Sequence, residues 1–312
     1  MHHGQEIYSF FYTYGTNGIL GIILTSILIS VIIYKTLEIY KIYKIKTYNE
    51  FLEEIVKNKI IKKIIKIIIN LFLLFSFYIM IAGISAFLSQ QFKCNKFISS
   101  IIFSSFCYII FLKNIDKIIK MNLVIVSIII IILILFGIKN INYINNQEIV
   151  KAKNLWVISS ILYASYNSIT LIGMIGMMNK YLNTKKDILK VSMTTGIIIF
   201  SLAMIIFLLL INIKEKAEIP VLYISNCFGG IYRYLYGIMI FFAIFTTAIS
   251  DGFTLLKNIE EKSKRKTRMF NLLICGSAIP ASQIGFSNLI NMLYPLFGII
   301  GLIQIIIILL KK

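Results

Sequence analysis

Nine apolar runs, each roughly the length a helix needs to cross a bilayer, constrain this chain more than any other feature. They cover about 18–34, 67–89, 97–112, 121–138, 155–178, 191–213, 234–256, 269–287 and 289–310. A hydrocarbon core takes roughly 17–25 apolar helical residues to span, and backbone N–H and C=O groups there must be paired within the segment, which selects helices. The basic residues between the runs sort by side. With sides alternating from run to run, 24 of the 32 Lys and Arg residues fall on one side, within 35–66, 113–120, 180–190, 257–268 and at the last two positions. Only Lys93, Lys96, Lys139, Lys151, Lys153, Lys214, Lys216 and Arg233 fall on the other. Positive charge stays in the cytoplasm. Residues 35–66, 179–190 and 257–268 and the C-terminus are therefore expected inside, and 139–154 and 214–231 outside. The localisation expected is the cell (plasma) membrane of a bacterium, as a multi-pass protein.

Composition removes the main competing classes. A chain with 58% hydrophobic and 14% charged residues and a mean hydropathy of +0.86 is not a soluble globular domain. The net charge of +19 sits in short loops without the aromatic platforms of a nucleic-acid stripe, so the expected partner is the lipid bilayer and not nucleic acid. The first ten residues hold Glu6 and lack the basic start and apolar core of a cleavable signal. No histidine falls in a run, no His-Glu-x-x-His occurs, and the membrane acids are isolated, so no enzyme is expected. His2 and His3 have no nearby acidic or cysteine partner for a metal, and no cofactor is implied. Cys107 and Cys275 read as small packing residues. Cys94 and Cys227 share the outer side, where a disulfide is conceivable.

Between the first two runs, Thr47-Tyr48-Asn49-Glu50 has capping-box spacing. Phe51, Leu52, Ile55, Val56 and Ile60 follow at helical spacing, beside Lys57, Lys59, Lys62 and Lys63. Two readings stand: an amphipathic helix lying on the inner membrane face, or a plain connector. Outside, Pro220 at an early helical position and Gly229-Gly230 at the end predict a capping helix in 214–231. The Asn-rich linker 139–154 divides the chain into 1–138 and 155–312. The second part holds five runs, and an odd-numbered unit that is duplicated must insert upside down relative to its copy. The first part shows four full runs plus a stub at Gly4-Gln5-Glu6-Ile7-Tyr8-Ser9-Phe10-Phe11.

Several short patterns carry a resemblance over nearly the whole chain. They are Gly4-Gln5-Glu6-Ile7 with Phe10-Phe11, Gly18-Ile19-Leu20-Gly21, Tyr48-Asn49-Glu50, Ala82-Gly83, and Trp156 with Tyr163-Ala164-Ser165-Tyr166-Asn167. Further on come Ala243-Ile244-Phe245-Thr246-Thr247, Gly285-Phe286-Ser287 and Tyr294-Pro295-Leu296-Phe297-Gly298. In order and spacing the chain resembles the YkvI-type bacterial membrane proteins, distant members of the amino acid–polyamine–organocation superfamily. The resemblance implies an all-α, polytopic transmembrane bundle with a LeuT-like inverted repeat, here nine full spans plus the N-terminal stub. It also implies a first half-helix ending in a glycine-rich break before Gly-Gln-Glu; the sequence starts at Met1 just ahead of that motif, for which the two readings are a misassigned start codon and a truncated gene.

The candidate site residues each carry two readings. Gln5 and Glu6 stand where the resemblance places substrate contacts; alternatively Glu6 ends in water at the edge of a stub. Tyr163, Ser165, Tyr166, Asn167 and Ser168 crowd polar groups into one run, where each must find a partner. The resemblance implies a second broken helix there, with Tyr163, Tyr166 and Asn167 binding substrate; the alternative is hydrogen bonding between packed spans. Ala243, Thr246 and Thr247 share one helix face and offer a carbonyl and two hydroxyls, the sodium-binding pattern the resemblance implies. Thr can equally bond back to its own helix. Asp251 is either a proton carrier or a polar residue near a helix end. Pro280 with Ser282, Gln283 and Gly285 predicts a turn between the last two runs. The function expected is a secondary active transporter of a small, amino-acid-like organic solute, coupled to a cation and working by alternating access. The alternative is a non-transporting, truncated or regulatory membrane protein of the same fold.

Overall fold

The computed structural model describes residues 3–45, 48–112, 124–135, 137, 154–178, 182, 184–210, 230–259 and 264–311. Among them every regular element is a helix. These are α1 (His3–Phe10), a 3-10 turn (Tyr12–Tyr14), α2 (Asn17–Ile42), α3 (Tyr48–Ile55), α4 (Lys59–Phe92) and α5 (Lys96–Phe111). The shorter apolar α6 (Val124–Leu135) follows. Then come α7 (Trp156–Met178), α8 (Lys185–Leu210), α9 (Gly230–Ile259), α10 (Lys264–Ser282) and α11 (Phe286–Leu310). The expected outer segments 139–154 (apart from Asn154) and 214–231 (apart from its last two residues) lie outside the described residues, as do Thr47 and Cys227.

The described residues of each of the nine apolar runs fall on helices, apart from single residues at two run ends and Gln283, Ile284 and Gly285, where the eighth run crosses a turn. Five stretches among the described residues are long and apolar enough to cross a membrane: Asn17–Ile42, Lys59–Phe92, Lys185–Leu210, Gly237–Leu256 and Phe286–Leu310. The outward faces are apolar too. Ile27 and Val31 on α2, Ile102 and Ile109 on α5, Ile197 on α8, and Ile299 and Ile303 on α11 all stand exposed. A water-facing helix would be polar there, so the surrounding medium is lipid.

Local chemistry sets the helix ends. Asn95 Oδ1 accepts from the amides of Phe97 and Ile98 and starts α5. Asn58 Oδ1 does the same for Ile60 at 2.8 Å, at the head of α4. Thr184 and Asp187 cap α8 reciprocally: the Thr184 amide donates to Asp187 Oδ2 at 2.7 Å and the Asp187 amide to Thr184 Oγ1 at 3.1 Å. The turn expected near 280–285 is present. Pro280 stays inside α10, which ends at Ser282, and Gly285 takes φ 97° before α11 begins.

The chain forms two compact units, each drawn from both sequence halves. Unit I comprises Met1–Ser9, Asn70–Glu148 and Ile205–Met292; unit II comprises Phe10–Ile69, Ile149–Met204 and Leu293–Lys312.

Unit II is built on α2 against α7, its most extensive helix contact. Residue numbers rise together along this seam. Thr25 Oγ1 donates to the Ser160 carbonyl at 3.1 Å; Ile29, Ile33 and Leu37 then pack with Ala164, and Ile32 and Tyr40 with Ile172. The two helices therefore run parallel. Small residues allow the approach, as expected where lipid removes the hydrophobic drive between helices. A Cβ at Gly21 would lie 2.7 Å from Ser160 Oγ, and one at Gly298 would lie 2.9 Å from Leu162 Cβ. At Gly301 it would overlap the Ser165 carbonyl oxygen, and at Gly196 the Ser30 hydroxyl.

The amphipathic α3 buries its apolar face in protein. Phe51 and Leu52 are buried, and the Phe51 ring stacks on Tyr40 at 4.8 Å and 9°. The cluster around them includes Ile172, Ile305 and Ile308. Lys311 Nζ clasps α3 from the C-terminal side, donating to the Glu54 carbonyl at 2.7 Å and to Glu54 Oε1 at 2.9 Å. The helix stops at Ile55, so Ile60 starts a separate helix and stands exposed. The membrane-surface reading of this segment gives way to a docked connector, because the core of unit II offers Phe51 a better-matched surface than lipid headgroups.

Unit I pairs α4 with α9 and α5 with α10, both antiparallel. Asn70 meets Asn258 and Ser76 meets Asp251, while Ser104 meets Cys275 and Tyr108 meets Asn271. Aromatic rings fill the space between α5 and α9, with Phe103, Phe106, Phe241 and Phe245 in mutual contact.

Candidate functional site

The candidate residues fall into two groups, one in each unit. In unit II, Tyr163 and Tyr166 lie on α7 and are 3% and 2% exposed. Their rings meet edge to face at 5.3 Å, and Phe10 and Phe11 close on them, with Phe10 at 5.4 Å and Phe11 at 4.8 Å from Tyr163. Such ring pairs each add about 0.5–1.5 kcal/mol beyond burial. Ser159 Oγ fixes the approach by donating to the Phe10 carbonyl at 2.7 Å.

The structure corrects one expectation here. The second broken helix is absent, and α7 runs unbroken from Trp156 to Met178. Its polar side chains support the helix instead of interrupting it. Ser165 Oγ donates to the Ile161 carbonyl at 2.6 Å, Asn167 Nδ2 to the Tyr163 carbonyl at 2.9 Å, and Ser168 Oγ to the Ala164 carbonyl at 2.6 Å. Each bond reaches four residues back and satisfies a group that would otherwise be costly in an apolar setting. No Gly or Pro lies between Trp156 and Ile172 to force a break.

In unit I, α1 carries Glu6, whose side chain is fully buried; the water-exposed stub reading of this acid does not hold. Gln5 is on the same helix. On α9, Thr246 and Thr247 both donate to the Ala243 carbonyl at 3.1 Å. The three oxygens share one face as expected, and in this arrangement the carbonyl is the common acceptor. Asp251 is 4% exposed and accepts from Ser76 Oγ at 2.5 Å. Two turns further along α9, Asn258 Nδ2 donates to Asn70 Oδ1 at 3.0 Å.

Sequence reasoning missed the partners. Ser76 and Asn70 are polar residues inside a long apolar run, which was a usable signal. Their pairing with α9 needs the helix packing, as does the closure of Phe10 and Phe11 over Tyr163.

No protein-family model matches the chain. It is 24% identical over 323 residues to the uncharacterized membrane protein YkvI of Bacillus subtilis (strain 168), an alignment covering 99% of this chain and 90% of that protein. The chain is similar to YkvI over nearly its whole length. The apolar outer faces and the likeness to YkvI agree on a multi-pass protein in a lipid bilayer.

Proposed function

We propose that this chain is a secondary transporter of a small, amino-acid-like organic solute, driven by a cation gradient and working by alternating access. The observation that carries the reading is the membership of the two units. With five helices to each half (α1, α2, α4, α5, α6 and α7 to α11), the second helix of each half and the first of the second half gather in unit II. The third and fourth of each half, α4, α5, α9 and α10, gather in unit I. The second, third and fourth positions of the two halves thus sort together, as duplicated halves of an inverted repeat would, while the first (α1 and α7) and the fifth (α6 and most of α11) divide between the units. The directions agree: α2 and α7 run parallel with three membrane helices between them in sequence, as alternate crossing requires. The lysine-rich loops and the C-terminus then face the cytoplasm of a bacterial cell.

Tyr163, Tyr166 and Asn167 are the substrate candidates of unit II, and Gln5 and Glu6 those of unit I. Ala243, Thr246 and Thr247 are the sodium candidates, since a hard cation takes a carbonyl and hydroxyl oxygens together. The rival, a non-transporting protein of the same fold, draws support from α7, whose polar groups are already tied to their own backbone. Purified protein in proteoliposomes, given labelled amino acids under an imposed sodium or pH gradient, separates the two. Accumulation of at least one solute, lost in Asn167→Ala with folding intact, is the expected result; no accumulation under either gradient leaves the rival. Sodium-dependent thermal stabilisation, abolished by Thr247→Ala, is expected if the ion binds only the folded state. Equal stabilisation by sodium and potassium removes the sodium site.

A further inference from the structure

The α4–α9 seam of unit I contains a buried acid with a polar track on one side of it, and the geometry points to a proton-exchanging site at Asp251, reached from the lysine-rich end of α4. Asp251 is buried, with Ser76 Oγ as its bonded neighbour on α4. Asn258 lies seven residues beyond it on α9, about 10 Å along the axis and on the same face. There the Asn70–Asn258 amide pair ties α9 to α4 again. Asn70 comes four residues after Lys66, the last of the lysines at the start of α4. In the opposite direction along the same two helices the seam closes at Gly83, where a Cβ would lie 3.0 Å from the Phe286 ring, with Ile244 next to it. The Phe111 ring covers Gly252, beside the acid, so closely that a Cβ there would overlap it. Toward the start of α4 the polar side chains reach across the seam, at Ser76 and at the Asn70–Asn258 pair, while in the other direction Thr246 and Thr247 bond back to their own helix.

The other elements packed on α9 bring mainly thiols, hydroxyls and amides. From α5 come Cys107 and Tyr108. From α10 come Asn271, Cys275 and Ser277, the last bonded to the Tyr78 hydroxyl of α4 at 2.6 Å. The remaining acid among the described residues of unit I is Glu6 of α1, also buried. Ionisable groups held inside a membrane protein usually mark ion or proton routes. An acid with such a polar approach can take up and release a proton through water that the amides hold. The Asn70–Asn258 pair is the gate of that route, and the site adds a proton to the sodium candidates as a coupling ion within the transporter reading on which this rests.

The test needs no substrate. Infrared spectroscopy of the purified, lipid-reconstituted protein reads the C=O stretch of neutral carboxyl groups and its shift on transfer to D2O. Wild type is expected to show a buried-carboxyl band that shifts in D2O. The band should be lost in Asp251→Asn, moved in Asp251→Glu and kept in Glu6→Gln. Asn70→Leu with Asn258→Leu replaces both partners of one bond, which protein interiors tolerate better than removing one. That double variant should keep the band and slow its exchange. A band that survives Asp251→Asn, or is missing from wild type, overturns the site; exchange as fast in the double variant as in wild type overturns the route. Transport is read separately: solute flux that ignores Asp251→Asn removes the proton from the coupling, whereas a protein with no flux and an intact, exchanging band keeps the site and loses the transporter reading.

Discussion

Unit I and unit II place polar groups in an apolar setting with a different balance of bonds across and within helices. In unit I several polar side chains reach across to other helices, Ser76 to Asp251, Tyr78 to Ser277, Asn70 to Asn258, and Ser104 to the Cys275 carbonyl, while Thr246 and Thr247 turn back onto α9. In unit II the polar side chains of α7 mostly turn back onto α7, and the helices meet through glycine and small residues. Cross-helix bonds fix register, because each donor must stay opposite its acceptor. Helices that carry their own partners lose no hydrogen bond when they rotate or slide. Unit I thus holds its register largely by side-chain bonds between helices, and unit II largely by close packing at its glycines.

Five substitutions can break that comparison, and thermal unfolding in one detergent reads them all. The largest effect is expected at Gly301→Val in unit II, where the added atoms overlap the Ser165 carbonyl. Overpacking of this kind costs about 1–3 kcal/mol or more. Gly276→Ala on α10 has open space around its Cβ and should instead hold or gain stability, by up to ~1 kcal/mol from helix propensity. Next comes Ser76→Ala, which strips the buried Asp251 of its cross-helix donor and should cost about 1–3 kcal/mol. Ser168→Ala on α7 removes a bond within its own helix and should stay within about 0.5 kcal/mol, since such back-bonding adds little or even destabilises slightly. If the two serine variants fall equally, the contrast between the units is wrong. The smallest effect belongs to Lys311→Gln, which releases Glu54 at a partly exposed position. It should cost about 0.2–1 kcal/mol and appear mainly as faster amide exchange in α3.

Much of the helix layout was legible before the structure. Apolar runs of this length leave the backbone little choice, and Gly285 marks the turn before α11 as its sequence context suggests. Less could be read from the side chains. The polar cluster of α7 has the composition of a helix break, yet serine and asparagine can equally repair a helix by bonding four residues back; only the absence of Gly and Pro up to Ile172 distinguished the outcomes. Phe51 was legible as apolar, while its partner Tyr40 was not, because the stack depends on how the chain turns at Lys44, with φ 51°. The partners of Asp251 were hidden for a related reason: Ser76 lies 175 residues away in sequence, and pattern within a helix carries no information about which face of another helix it will meet.

The parallel pairing of α2 with α7 also sets an order of manufacture. A ribosome finishes α2 at Ile42 and does not begin α7 until Trp156, so more than a hundred residues are synthesised while the glycine and threonine face of α2 has no mate. During that interval α4 and α5 enter the bilayer beside it, and α5 itself awaits α10. Both units are therefore completed late, from pieces laid down early. The newborn chain passes through a stage in which membrane-embedded helices are inserted but not assembled, the stage at which quality-control proteases and insertion chaperones act on large proteins. Substitutions at Gly21 or Thr25 should accordingly lower the yield of finished protein in the cell more than they lower the stability of the molecules that mature.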